Sequence, residues 1–194
     1  RNVLVDLVNY IPATVELTTA ALLIAILIGV PVGAKAGVSK KGLSNSATRL
    51  VSLFGASLPE FWTGIMLQLI VAFSLGLLPA VGRYPTEGTP LPMQITGILT
   101  LDSVLTLNGA AFVTSLSHLI LPAFVLSLPT LSQITRITWS KMTEEAAKDY
   151  VLLARANGMP EFLIAYKYML KNAFSATLSI IGLTYAFLLG GAFV

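Results

Sequence analysis

The sequence has no cysteine and a single histidine, and charged side chains make up only 11% of its 194 residues. Without cysteine there is no thiol nucleophile, no disulfide and no thiolate metal site. A lone imidazole with no acidic cluster at ligand spacing is a poor metal site too. No Gly-x-x-x-x-Gly-Lys-Ser/Thr phosphate loop occurs, so this chain is not expected to hold a nucleotide itself. What remains is apolar: hydrophobic residues are 55% of the chain and the mean hydropathy is +0.82, values of an integral membrane protein. The net charge of +3 would suggest nucleic acid only if it were spread over a soluble surface, and it is not.

Four apolar stretches are each expected to cross the bilayer as a helix, over about 14–36, 50–78, 112–138 and 173–194. Pro31, with Gly29 and Gly33, is expected to loosen the last turns of the first, and Pro122 and Pro129 to interrupt the third. All the basic residues except Arg1 and Arg83 fall in or beside the loops after the first and third spans. The positive-inside rule therefore puts those loops in the cytoplasm and the Pro- and Gly-rich segment from Pro79 to about Ala111 outside. An outside Arg1, and a fourth span reaching Val194, are the expectation for a piece of a longer chain.

One polar, helix-prone segment stands out, Thr143 to Asn172, within a cytoplasmic loop of about 141–171. Glu144, Glu145, Ala146, Ala147 and Lys148 are good helix formers, which predicts a helix starting there and ending at Asn157. Gly158 supplies a left-handed residue to stop it, and Pro160 suits the first turn of the next helix. A short helix presented between two spans is built to be held by something outside the membrane.

The run YVLLARANGMPEFLIAYKYMLKNA resembles the cytoplasmic signature loop of ABC-importer permeases, and more narrowly that of the dipeptide/oligopeptide/nickel permease family. Asp149, Tyr150, Ala154, Arg155, Ala156, Gly158, Leu170 and Asn172 stand where that pattern has its marked residues. The literal Glu145-Ala146-Ala147 is not the signature, because the required glycine would fall on Val151. The stretches YIPATVELTTAALLIAILIGVPVG, SLPEFWTG, LGLLPAVGR and HLILPAFVLSLPTLSQITR are similar, in that order, to segments of the first-type (B-like) subunit. The resemblance implies an all-α polytopic membrane bundle, the type I transmembrane domain of ABC importers, in the cell inner membrane. It implies ATPase coupling through Asp149, Tyr150, Ala154, Arg155, Ala156 and Gly158. ATP and magnesium would sit on separate ATPase subunits, and no cofactor on this chain. A second permease subunit would pair with it, and an extracytoplasmic solute-binding protein would meet the outer loops around Arg83 to Leu107. One span is expected before Arg1 and at least one after Val194.

Candidate pathway residues are Glu60, Ser57, Gln68 and Gln133. Glu60 lies about eleven residues past Arg49, hence ~16 Å into its span, where a carboxylate must face water or a polar partner. The family more often has a small polar residue there. Glu16 and Arg136 sit near span ends, where charges reach the interface cheaply. His118 reads as a satisfied residue near the outer end of its span. A secondary transporter would show the same spans and a midplane charge, but has no need of a helix-corner-helix presented to a motor. An intramembrane serine hydrolase using Ser57 and His118 fails on depth, since the two would miss by ~15 Å.

Overall fold

The computed structural model describes residues 3–38, 59–85, 88 and 90–191. Among them there is no strand. The helices, in order, are α1 (Val3–Val38), α2 (Glu60–Leu67), α3 (Leu99–Leu105), α4 (Gly109–Glu145), α5 (Asp149–Ala156), α6 (Glu161–Leu163) and α7 (Leu170–Gly191). Wider π-type turns prolong α2 over Gln68–Ser74 and join α6 to α7 over Ile164–Met169. By length and composition three stretches can cross a membrane: Tyr10–Val38, Gly109–Glu145 and Glu161–Gly190. A shorter apolar helix covers Glu60–Ser74; the expected second span overshoots it at 75–78, which is not helical, while 50–58, with Ser57, lies outside the described residues.

The chain forms two compact units, one of Arg1–Ala21, Pro59–Leu126 and Phe187–Val194, the other of Leu22–Leu58 and Ser127–Ala186. In the second unit α1 and α4 approach through glycine. A Cβ on Gly33 would stand 2.6 Å from the Thr135 carbonyl oxygen, and one on Gly29 3.1 Å from Thr135 Oγ1. With Gly37 meeting Met142 and Trp139, these glycines recur every four residues and let the backbones close up. They are a packing surface, not the loosened end expected from the sequence. Beside them lie Ala25, Val30, Leu131, Ile134 and Ile181. Thr138 and Thr177 meet through their hydroxyls at 3.3 Å.

Helix α4 runs through Pro122 and Pro129 without a break, so the expected interruption does not occur. Each proline deletes one backbone donor, a loss that a long apolar helix in lipid absorbs with support from its neighbours. Asn108 starts α4 by accepting the Ala111 N–H at 3.1 Å on its side chain.

In the first unit Glu16 and Arg83 organise the outer segment. Glu16 is buried, yet neither oxygen of its carboxylate is idle. One oxygen accepts from Arg83 Nη2 at 2.6 Å and Nε at 3.2 Å, the other from the Thr100 N–H and Oγ1, both at 2.8 Å. Thr100 lies in the first turn of α3, so the carboxylate also faces the positive end of that helix. Arg83 further donates to the Gly97 carbonyl at 2.7 Å. Gly97 has φ +80°, and a Cβ there would press Pro12 at 3.1 Å, so glycine is required on both counts. Burial works to raise the Asp102 carboxyl, but hydrogen bonds from the Thr96 hydroxyl and backbone and from the Gly97 N–H outweigh it and hold the group below its ordinary value.

Candidate functional site

The polar segment after α4 folds differently from its propensity. Instead of one helix from Glu144 to Asn157, α4 ends at Glu145, the chain turns through Ala146–Lys148, and α5 starts afresh at Asp149. The reason is Glu145. It is buried, and its carboxylate accepts the Lys148 ammonium at 2.5 Å and the Tyr150 hydroxyl at 2.6 Å. Asn172 of α7 hydrogen-bonds to the same Glu145–Tyr150 pair. Burial, then the bond to Glu145, raises the Tyr150 phenol above its ordinary value. The same carboxylate raises the Lys148 ammonium. Two polar bonds across a chain reversal outweigh the few tenths of a kcal/mol per residue that helix propensity offers (about 0.7 at most).

Behind α5 lies an apolar base: Val151 is fully buried with Ala34, Met142, Ile164, Met169 and Ala173, and Tyr150, Ala154 and Met159 pack against them. In front, Leu152 and Leu153 are 56% and 64% exposed. Asp149 is exposed in the first turn, where its charge suits the helix dipole. Ala156 is exposed at the far end.

The corner that follows has φ +71° at Gly158. The Met159 N–H returns to the Ala154 carbonyl at 3.1 Å and the Gly158 N–H to the Arg155 carbonyl at 3.0 Å, the paired bonds of a Schellman ending. Arg155 spans the corner, with Nε 2.7 Å and Nη2 3.2 Å from the two oxygens of Glu161. That hydrogen bond raises the Arg155 guanidinium further above its ordinary value. Pro160 sits just before α6 in extended conformation, one position earlier than the first-turn place expected of it. Asp149, Tyr150, Ala154, Arg155, Ala156 and Gly158 are thus brought together on one short helix and its corner, with Tyr150 and Ala154 turned inward and Arg155 engaged within the chain.

The pathway candidates separate. Glu60 and Gln68 line a single cavity of ≈ 600 Å³ in the first unit, together with Phe61, Ala80, His118 and Pro122 among others. Glu60 is the first residue of α2 and is exposed. Gln68 donates its amide to the Ala80 carbonyl at 2.5 Å. Gln133 belongs to the second unit, on α4, half-buried, and is not part of this cavity. Ser57 lies outside the described residues, so its place relative to His118 is undefined. His118 has Nδ1 2.9 Å from the Thr114 carbonyl, and its ring stacks near Tyr84 at 6.5 Å. Among the described residues no cluster of three potential metal ligands occurs.

Two residues were missed in the sequence. Glu16 is buried on Arg83, a partner 67 positions away that no local pattern announces. Glu145 was set aside with the misleading Glu-Ala-Ala string. An acidic residue at Asp149, fit for a helix's first turn, was the available sign that α5 begins there.

Comparison with known proteins shows the family. Residues 25–194 match the family model described as the binding-protein-dependent transport system inner membrane component. The chain is 38% identical over 192 residues to the probable D,D-dipeptide transport system permease protein DdpB of Escherichia coli K12, covering 99% of this chain and 56% of that one. It is 36% identical to the di/tripeptide permease DppB of Pseudomonas aeruginosa, over 96% of this chain and 55% of the relative. It is 29% identical to the putrescine export permease SapB of Escherichia coli K12, over 92% and 56% respectively. The chain thus spans about half the length of these relatives. With the all-α fold of a type I ABC-importer transmembrane domain, it belongs to the family of binding-protein-dependent transport system inner membrane components.

Proposed function

We propose that the chain is part of a permease subunit of an ABC importer, passing peptides or a related small solute and driven by separate ATPase subunits that dock on α5. The observation that carries this is the two-sidedness of α5. Its inner face is anchored through Tyr150, Glu145 and Val151, while Leu152 and Leu153 stay open to solvent. An eight-residue helix with an apolar outer edge suits a groove on a partner, a helix-in-groove contact. Because its back is fixed to α4 and α7, a displacement of α5 carries those helices along. ATP and magnesium belong to the ATPase partners, and this chain catalyses no reaction. A similar, distinct permease subunit would complete the path, and a solute-binding protein would deliver at the segment organised by Glu16 and Arg83. The similarity to di- and tripeptide permeases favours peptides. Dipeptides and putrescine have a protonated primary amine in common.

Orientation is testable first, on a chain with no native cysteine. In intact cells Lys148→Cys is expected to be shielded from an impermeant thiol reagent and Met93→Cys, on an exposed residue of the outer segment, to react. Reaction at position 148 but not at 93 would overturn both the orientation and the docking of an ATPase on α5.

A further inference from the structure

We propose that the cavity beside Glu60 is a subsite for a protonated primary amine on the transported solute. The proposal deepens the permease reading and rests on it for the word transported; the binding chemistry stands on the cavity alone. Its polar groups have been sorted by their other bonds. Gln68 gives one amide N–H to the Ala80 carbonyl, which can only accept, so its side-chain oxygen remains as an acceptor beside one further N–H. The Thr114 carbonyl likewise can only accept, so His118 carries its proton on Nδ1, and in the neutral ring Nε2 is an acceptor. The Glu60 carboxylate accepts only, and no partner for it occurs among the described residues. Three acceptors therefore line one cavity whose remaining walls are mostly apolar, among them Leu17, Phe61, Ile65, Leu121 and Val125. An ammonium is the complement: three donors, no acceptor, and a positive charge opposite the one carboxylate. At ≈ 600 Å³ the cavity lies in the range of small-molecule sites. Anionic headgroups fit badly, since they bring a negative charge to the Glu60 carboxylate.

Gly64 offers a reporter. It lines the cavity one turn from Glu60, and among the described residues a Cβ there meets only Val125 at 3.7 Å. In the assembled transporter, Gly64→Cys is treated with a small methanethiosulfonate and modification is read on this subunit by mass. Butylammonium is expected to slow the reaction about tenfold, the worth of a charge-assisted hydrogen bond, while butanol of the same shape does not. Adding Glu60→Gln is expected to abolish the protection, and Glu60→Asp to keep part of it. Equal protection by butanol, protection that survives Glu60→Gln, or a cysteine that never reacts each overturns the subsite. So does a fall in assembled complex with Glu60→Gln, which would mark Glu60 as a structural partner. Dipeptide uptake is measured alongside on the wild-type complex. Its absence with protection intact would sink the permease reading and leave the amine site standing.

Discussion

Gly158→Val is expected to cut transport-coupled ATP hydrolysis by at least about tenfold, the rate equivalent of 1.4 kcal/mol, while the subunit still inserts in the membrane. Among the described residues a Cβ at this position meets nothing within 4 Å, so the effect is conformational and not a clash. At φ +71° a β-branched residue carries strain of about 1–3 kcal/mol. The chain relieves it by abandoning the left-handed turn, which opens the Met159–Ala154 and Gly158–Arg155 bonds and pulls Arg155 from Glu161. α5 then keeps its sequence and loses its angle. Gly158→Asn is the control, because asparagine tolerates the left-handed region, and it should retain most of the coupling. Equal coupling in the valine and wild-type complexes would show that this corner transmits nothing.

Glu16→Ala is expected to have the largest effect on assembly. The substitution strips two bonds from Arg83 and leaves the Thr100 N–H and hydroxyl facing an apolar gap. Breaking a buried ion pair from one side costs about 3–5 kcal/mol. Arg83 is 39% exposed and can turn to water, which places the expected cost toward the lower end, about 3 kcal/mol. Arg83→Ala leaves the buried carboxylate with Thr100 alone and should cost a comparable amount. The double variant should cost clearly less than the sum, and the complex yield and melting temperature of the four proteins measure the coupling. Simple additivity would mean that the pair does not hold the outer segment to α1.

The parts that could be read from the sequence were those set by local rules. Gly158 was legible because a helix-stopping glycine followed by Pro160 is a short-range pattern, and the left-handed φ follows from it. The apolar runs and the distribution of lysine and arginine likewise need only neighbours. The Gly29, Gly33 and Gly37 spacing was present but ambiguous: alone, glycine beside Pro31 reads as weakness, and only α4 lying against it makes it a contact surface. Glu16 with Arg83, and Glu145 with Tyr150 and Asn172, are meetings of distant segments whose energy exists only in the folded chain. In the sequence Glu60 and Gln68 stand out only as polar residues in a span. That both line one cavity while Gln133 does not is a matter of helix rotation, which a span apolar on every face does not encode.

The most direct test of the docking of an ATPase on α5 is a cross-link. Leu153, on the exposed edge of α5, is replaced by cysteine in the assembled transporter and treated with a short bifunctional reagent from the cytoplasmic side. The expected product joins this subunit to the ATPase, and Leu153→Asp should weaken the association of the two. A cysteine at position 153 that stays freely reactive and forms no such product, in a complex that still couples ATP hydrolysis to uptake, would contradict it.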